Sequence, residues 1–197
     1  MGGPLNGDRQ KILEHLESGI EVRKKMAESL AGPLVQAADL VRNALKSGGK
    51  LLFCGNGGSA SDCQHLAAEF VGRYRMERKG QPALSLCSDA AVMTAIANDY
   101  GYERLFARQV EALGRPGDVL FGLSTSGGSR NVIAAMQSAR RLGLKTIAFM
   151  GEKGSEMAGL ADVVIRIPAS EPAQIQEGHL FAGHMLCDLV EPSFPAE

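Results

Sequence analysis

Tryptophan is absent from the 197 residues and aromatic side chains make up only 5% of them, so the chain offers few flat rings on which unpaired bases could stack. Lysine and arginine number 21 against 22 aspartates and glutamates, a formal net charge of −1. Without a basic surplus there is no electrostatic footprint for nucleic acid. No apolar run approaches bilayer-spanning length. The opening residues Met1-Gly2-Gly3-Pro4-Leu5-Asn6 lack the basic and apolar regions of a signal peptide, and Asn6 stands where a myristoylation signal wants Ser or Thr. The four cysteines, Cys54, Cys63, Cys87 and Cys187, form no Cys-x-x-Cys pair and read as reduced cytosolic thiols, Cys54 and Cys87 as core.

What is present is an ordinary globular composition, 45% hydrophobic and 22% charged. Its length suits one domain spanning residues 1–197, with helices over 1–48 and an α/β core over 49–197. Two Gly/Ser turns stand out: Gly55-Asn56-Gly57-Gly58-Ser59 and Ser124-Thr125-Ser126-Gly127-Gly128-Ser129. Each follows a short apolar run, Leu51 to Cys54 or Val119 to Leu123, of the kind that forms a buried parallel strand, and each precedes a helical pattern. A strand, a tight turn and a helix aim free backbone N–H groups and the positive end of the helix dipole at one point, which attracts phosphate. The bland reading is a helix N-cap, which needs one hydroxyl. Ser124, Thr125, Ser126 and Ser129 exceed that need.

Along the chain, Ile12, Leu16, Ile20, Met26 and Leu30 keep helical spacing, and Pro33 opens a second helix carrying Leu34, Val35, Ala38, Val41 and Leu45. Ser47-Gly48-Gly49 ends it. Strands are then expected near 50–54, 83–87, 118–123, 144–149 and 162–167. Helices are expected near 59–71, 90–98, 103–112, 129–142, 155–160 and 173–190. The layout is α/β: a doubly wound, five-stranded parallel sheet flanked by helices, flavodoxin-like, with an N-terminal helical hairpin. Ligands of such sheets sit beyond the carboxyl ends of the strands at the switch point, where both turns lie. The hairpin's apolar stripe has no strand of its own to cover and predicts an oligomer contact. Met76 to Pro82, polar and Pro/Gly-containing, reads as a mobile loop and lid candidate.

After the first turn, Asp62, His65 and Glu69 share one helix face. His and Glu at this spacing hold a divalent metal, pair a general base with its orienting partner, or form a solvated surface pair. The last helix puts Gln176, Glu177, His179 and His184 into an apolar segment. Glu177 and His184 are nearly aligned, whereas Gln176 and His184 are about 80° out of phase on an ideal helix, so the wheel alone prefers Glu177. His179 is expected to face solvent or a neighbouring subunit. Gly178 and Gly183 inside this helix cost roughly 1 kcal/mol each against Ala and suggest a close approach. Asn98-Asp99 ends an apolar helix at Gly101, either as a plain C-terminus or as a partner for sugar hydroxyls. Gly55, Gly57 and Ala60 also satisfy a dinucleotide fingerprint, with Asp89 placed as a ribose-binding acid, but that reading leaves the second turn and the His65/Glu69 pair without a role.

Taken together, Gly55 to Ser59, His65 with Glu69, Gly72-Arg73-Tyr74, Asn98-Asp99, Ser124 to Gly127 and Ile175-Gln176-Glu177 resemble the bacterial phosphoheptose isomerases, proteins of the sugar isomerase (SIS) fold. The resemblance implies conversion of D-sedoheptulose 7-phosphate to D-glycero-D-manno-heptose 7-phosphate, on the way to activated heptose for lipopolysaccharide core or capsule. It also implies a cytoplasmic homotetramer with one zinc ion per subunit. By position, the metal ligands it implies are His65, Glu69, Gln176 and His184, against the wheel's choice of Glu177. The substrate contacts are Asn56, Gly57, Gly58, Ser59, Glu69, Asn98, Asp99, Ser124, Thr125, Ser126, Ser129 and Gln176. Glu69 and His184 would be the catalytic pair, moving protons at carbon and at oxygen. Ala173-Gln174 stands where relatives often carry an acidic and a basic residue. The alternative is a non-catalytic tetramer of the same fold, similar to replication-initiator-associating proteins.

Overall fold

The computed structural model describes residues 4–153 and 156–196. The reading of Met1-Gly2-Gly3 and the start of the helix expected near 155–160 fall outside them. Five parallel strands, β1 (Leu51–Gly55), β2 (Ala83–Ser85), β3 (Val119–Ser124), β4 (Lys145–Met150) and β5 (Val163–Arg166), pair in the order β2-β1-β3-β4-β5. Every residue of β1 and β3 is buried, because helices cover both faces of a parallel sheet. Phe53 stacks on Phe121 at 4.5 Å and Phe121 meets Phe149 at 6.2 Å, a row of rings running across the central strands. Strand order reverses between β1 and β3, and Gly55 is in register with Leu123. The two Gly/Ser turns therefore leave adjacent strands at one edge.

The helices are α1 (Pro4–Ser29), α2 (Ala31–Lys46), α3 (Gly58–Val71), α4 (Ala90–Tyr100), α5 (Leu105–Leu113), α6 (Arg130–Arg141), α7 (Glu156–Gly159) and α8 (Pro172–Val190). The N-terminal pair expected as a hairpin joins at one residue, Leu30, which itself has helical dihedrals. Leu30 N–H donates to Met26 O and Leu34 N–H to Leu30 O, so the helical ladder continues across the junction. The junction is a bend and not a hairpin loop. Its cause is Pro33, whose missing N–H and ring break the ladder one turn upstream, at Ser29. Ile12, Leu16 and Ile20 on α1 are 61%, 56% and 52% exposed, an apolar stripe that this chain leaves uncovered. None of the apolar side chains of α4 is buried either. No helix among the described residues is long and apolar enough to cross a membrane.

The segment Met76 to Pro82 is not the mobile loop its composition suggests. Arg78 and Glu191 form a buried ion pair at 3.1 Å. Glu191 also accepts the backbone N–H groups of Tyr74, Arg75 and Met76 at 2.8–2.9 Å. The Arg78 guanidinium in turn donates to the carbonyls of Glu69, Phe70 and Gly72, capping the C-terminal end of α3. Burial works to raise the Glu191 pKa, but those three N–H donors and Arg78 prevail and hold it below the usual carboxylate value.

Candidate active site

The first turn works because Gly57 takes a φ of 58°, closed to most side chains, and because a Cβ on Gly55 would stand 2.9 Å from Ser59 Cβ and 3.1 Å from Leu123 O. That tightness starts α3 at Gly58, buries Ser59 in its first turn, and presents Asp62, His65 and Glu69 towards α8. Gly58 faces Gln176: a Cβ there would lie 3.4 Å from Gln176 Cδ. The close approach expected of the α8 glycines is also real. A Cβ on Gly183 would meet Leu66 of α3 at 2.5 Å, and one on Gly178 would meet Ile167 at 2.5 Å.

Docked in this way, α3 and α8 bring three ligand-type side chains to one point. His65 Nε2 lies 2.8 Å from His184 Nε2 and 3.3 Å from Glu69 Oε1, and one ligand atom from each residue falls within 4.8 Å of the others. Two imidazole nitrogens at hydrogen-bond distance share at most one proton. Burial, reinforced by the charge of His65, lowers the His184 pKa, with Glu69 opposing. Tyr74 stacks on the His184 ring at 5.4 Å. An imidazole pair beside a carboxylate is a donor set suited to zinc.

Gln176 faces α3 and Glu177 does not. Gln176 Nε2 donates to Asp62 Oδ1 at 2.7 Å, which leaves its Oε1 as the atom free to ligate. Glu177 points to the other side of α8, where its Oε1 lies 3.4 Å from His15 of α1. The wheel favoured Glu177 because phase along α8 does not say which side of the helix meets α3. Asp62 is almost fully buried and its Oδ2 has no hydrogen-bond partner; burial raises its pKa, against the hydrogen bond from Gln176 and the charge of His65. His179, expected at the surface, is 0% exposed and packs edge-on against Phe149 at 5.9 Å.

In the second turn, Gly127 takes a φ of 67°, Ser124 and Ser129 share a hydroxyl hydrogen bond at 2.9 Å, and Ser126 Oγ accepts from Gly128 N–H. Ser129 stands at the N-cap of α6 yet its side chain makes no capping hydrogen bond. The bland N-cap reading therefore does not account for its hydroxyl. Thr125 and Ser126 line a cavity of about 150 Å³ together with Lys153 and Ser170. Lys153 is a cation at the turn that the sequence reading passed over, since it lies 27 residues further on, beyond β4.

Asn56 is more constrained than a substrate contact need be. Its amide pairs with the Asn131 amide through two hydrogen bonds at 2.9 Å, and its Oδ1 also accepts from Tyr102 Oη at 2.8 Å. One N–H of Asn56 is left for a ligand. Asn98 and Asp99 sit exposed in the last turn of α4 and hydrogen bond each other at 2.8 Å. Among the described residues no hydrogen bond links them to the other candidate residues. Gly101 ends the helix with a φ of 83°, as expected of a C-terminal glycine, although its ψ of 156° lies outside the left-handed helical region.

A family model described as the SIS domain matches residues 14–151. A phosphoheptose isomerase of Roseiflexus sp. is 48% identical over 191 residues, covering 97% of each chain. The chain belongs to the phosphoheptose isomerase family of SIS-domain proteins. Another family member, from Helicobacter pylori strain P12, is 52% identical over 88% of this chain and 91% of its own. Two phosphoheptose isomerase structures superpose closely. The Neisseria gonorrhoeae protein GmhA has a TM-score of 0.88 at 40% identity, covering 93% of this chain and 98% of its own. The Francisella tularensis protein has a TM-score of 0.91 at 37% identity, covering 94% and 98%.

Proposed function

We propose that this chain interconverts D-sedoheptulose 7-phosphate and D-glycero-D-manno-heptose 7-phosphate, within one domain spanning residues 1–197. The observation that carries the reading is the meeting of His65, Glu69 and His184 within 4.8 Å, at the sheet edge where both Gly/Ser turns open. The phosphate would sit at the second turn, with the Thr125, Ser126 and Ser129 hydroxyls, the α6 N-terminus and Lys153 as donors. Ser124 supports that turn through its hydrogen bond to Ser129. The backbone of Gly57, Gly58 and Ser59, with the one free N–H of Asn56, would receive sugar oxygens. Asn98 and Asp99, exposed in the last turn of α4, would offer further groups to sugar hydroxyls.

The reaction is a proton transfer between C1 and C2 of the open-chain sugar through an enediolate. Glu69 removes the proton from one carbon and returns it to the other, while His184 exchanges protons with the two oxygens. His65, Glu69, Gln176 and His184 would hold zinc, which when bound supplies Lewis-acid stabilisation to the enediolate oxygens. Gln176 Oε1 is held for that task by Asp62. Neutral His184, favoured by its lowered pKa, keeps a lone pair available.

The exposed stripe of Ile12, Leu16 and Ile20 and the uncovered apolar face of α4 support a homotetramer, in which those faces meet neighbouring copies. The cytoplasm, where the sugar phosphates and reduced thiols are, is the expected compartment. A non-catalytic scaffold would leave the His65, Glu69 and His184 convergence without a role. The experiment is turnover of sedoheptulose 7-phosphate by the purified protein, before and after chelation and zinc return. Turnover lost on chelation and regained with zinc supports the reading; a folded protein inert in every state overturns it.

A further inference from the structure

We infer that Asn131 is a positioning residue for both Gly/Ser turns, a role that rests on the proposed phosphosugar substrate. It releases the Ser129 hydroxyl for the phosphate and holds the Asn56 amide as a hydrogen-bond donor to the sugar. Asn131 lies in the first turn of α6, directly after the second Gly/Ser turn, and is only 3% exposed. It therefore acts through its neighbours.

Its first action is at the helix end. An N-cap hydroxyl ordinarily accepts the backbone N–H two or three residues further on. For Ser129, the N-cap of α6, the residue three further on is Val132. The Val132 N–H is already engaged, donating to Asn131 Oδ1 at 3.0 Å. Ser129 accordingly makes no capping hydrogen bond, and its Oγ pairs with Ser124 Oγ at 2.9 Å. Two hydroxyls carry two protons and their shared bond uses one, so one O–H of the pair remains for a phosphate oxygen.

The same bond fixes which way the Asn131 amide points. A backbone N–H only donates, so the atom facing Val132 is the carbonyl oxygen and Nδ2 takes the other branch. Asn56 has to match: its Nδ2 donates to Asn131 Oδ1 and its Oδ1 accepts from Asn131 Nδ2, both at 2.9 Å. Tyr102 Oη donates to the same Asn56 Oδ1 at 2.8 Å, which occupies the second lone pair of that oxygen. Asn56 then offers a ligand one N–H and no acceptor. Such a group suits the carbonyl oxygen of the open-chain sugar, which only accepts. Because Asn56 follows β1 and Asn131 opens α6, the amide pair also ties the two turns together across the β1/β3 switch.

The test uses the intact zinc-loaded protein and reads inorganic phosphate binding by calorimetry beside steady-state kinetics on sedoheptulose 7-phosphate. Asn131→Ala frees the Val132 N–H for capping by Ser129 and lets the Asn56 amide rotate. Phosphate affinity is expected to fall about tenfold, the effect of one lost hydrogen bond to a charged group. KM should rise by about the same factor with kcat within about threefold of wild type, and zinc affinity should be unchanged. On a Ser129→Ala background, Asn131→Ala should cause little further loss of phosphate affinity, and on an Asn56→Ala background it should raise KM less than it does alone. A merely structural substitution would show no such coupling. Wild-type phosphate affinity in Asn131→Ala, or full additivity in both double variants, would overturn the proposal.

Ser129→Ala answers the question even where Asn131→Ala folds poorly. It should weaken phosphate binding about tenfold and keep the denaturant midpoint of wild type, because no capping bond is lost. A lowered midpoint with wild-type phosphate affinity would mean that the hydroxyl serves the helix, and would overturn the role given to Asn131. A wild-type protein that binds phosphate but leaves sedoheptulose 7-phosphate unconverted would refute the isomerase reading alone, with the phosphate series still deciding what Asn131 does.

Discussion

Asp62 accepts a hydrogen bond from Gln176 at 2.7 Å across the α3/α8 interface, so one buried carboxylate decides which way the Gln176 amide points. An ionised carboxylate only accepts, which directs Nε2 towards Asp62 and Oε1 away from it. Partners that orient metal ligands typically matter by 10–100-fold in affinity. Asp62→Ala is expected to weaken zinc binding by about that factor, measured by competition with a chelator, while Asp62→Asn, which keeps an acceptor oxygen, stays close to the parent. Equal affinity in Asp62→Ala and wild type would show that Gln176 needs no such guide.

Glu191 fastens the segment 74–78 through four donors, and its partner Arg78 is almost fully buried. Removing one member of a buried pair leaves an uncompensated charge, so Glu191→Ala should cost about 3–5 kcal/mol in denaturant unfolding. Because the folded pKa is held below 4.5, the contribution of Glu191 is fully present above about pH 4.5 and is lost as pH falls through the folded value. The gap between wild type and Glu191→Gln should therefore be constant from neutral pH down to about 5 and shrink below it. A gap that widens on acidification would contradict this assignment.

His179 behaves in the opposite chemical sense. Burial forces its pKa from 6.5 down to about 4, against a backbone hydrogen bond involving Met150. The unfolded chain takes up a proton near pH 6.5 that the folded chain refuses until about 4, so stability is full above 6.5 and declines as pH falls between the two values. The slope this group adds approaches 1.4 kcal/mol per pH unit. His179→Leu should flatten the stability profile between pH 6 and 4 relative to wild type. An identical slope in the two proteins would mean that His179 takes up its proton without loss of the fold.

Much of the sheet was legible because buried parallel strands declare themselves as short apolar runs and the turns between them need Gly and Ser. Their parallel pairing followed from alternation with helices. What the sequence concealed were relations across long separations. Composition made Met76 to Pro82 look loose, but its restraint comes from Glu191, more than 100 residues away. The α8 wheel ranked Glu177 above Gln176 because it carried no information on where α3 lies. His179 was expected to face solvent or a neighbouring subunit, yet it sits on the face of α8 turned towards Phe149 of β4. Gly178 and Gly183 were the better guides, since a glycine in a helix interior marks the place where another element comes close.

Those two glycines offer a paired experiment. A methyl at Gly183 would lie 2.5 Å from Leu66 Cδ2, beside His65 and His184, whereas a methyl at Gly178 would lie 2.5 Å from Ile167 Cγ2. Overpacking costs about 1–3 kcal/mol, and the gain in helix propensity over glycine returns about 1 kcal/mol. Gly183→Ala and Gly178→Ala should each lose up to about 2 kcal/mol of stability by this reckoning. They should part company in metal binding. Pushing α8 off Leu66 separates His184 from His65 and is expected to lower zinc affinity at least tenfold, while Gly178→Ala, which strains α8 against the end of β5, leaves it near wild type. Equal zinc affinity in the two variants would show that the α3/α8 spacing does not set the geometry of the site.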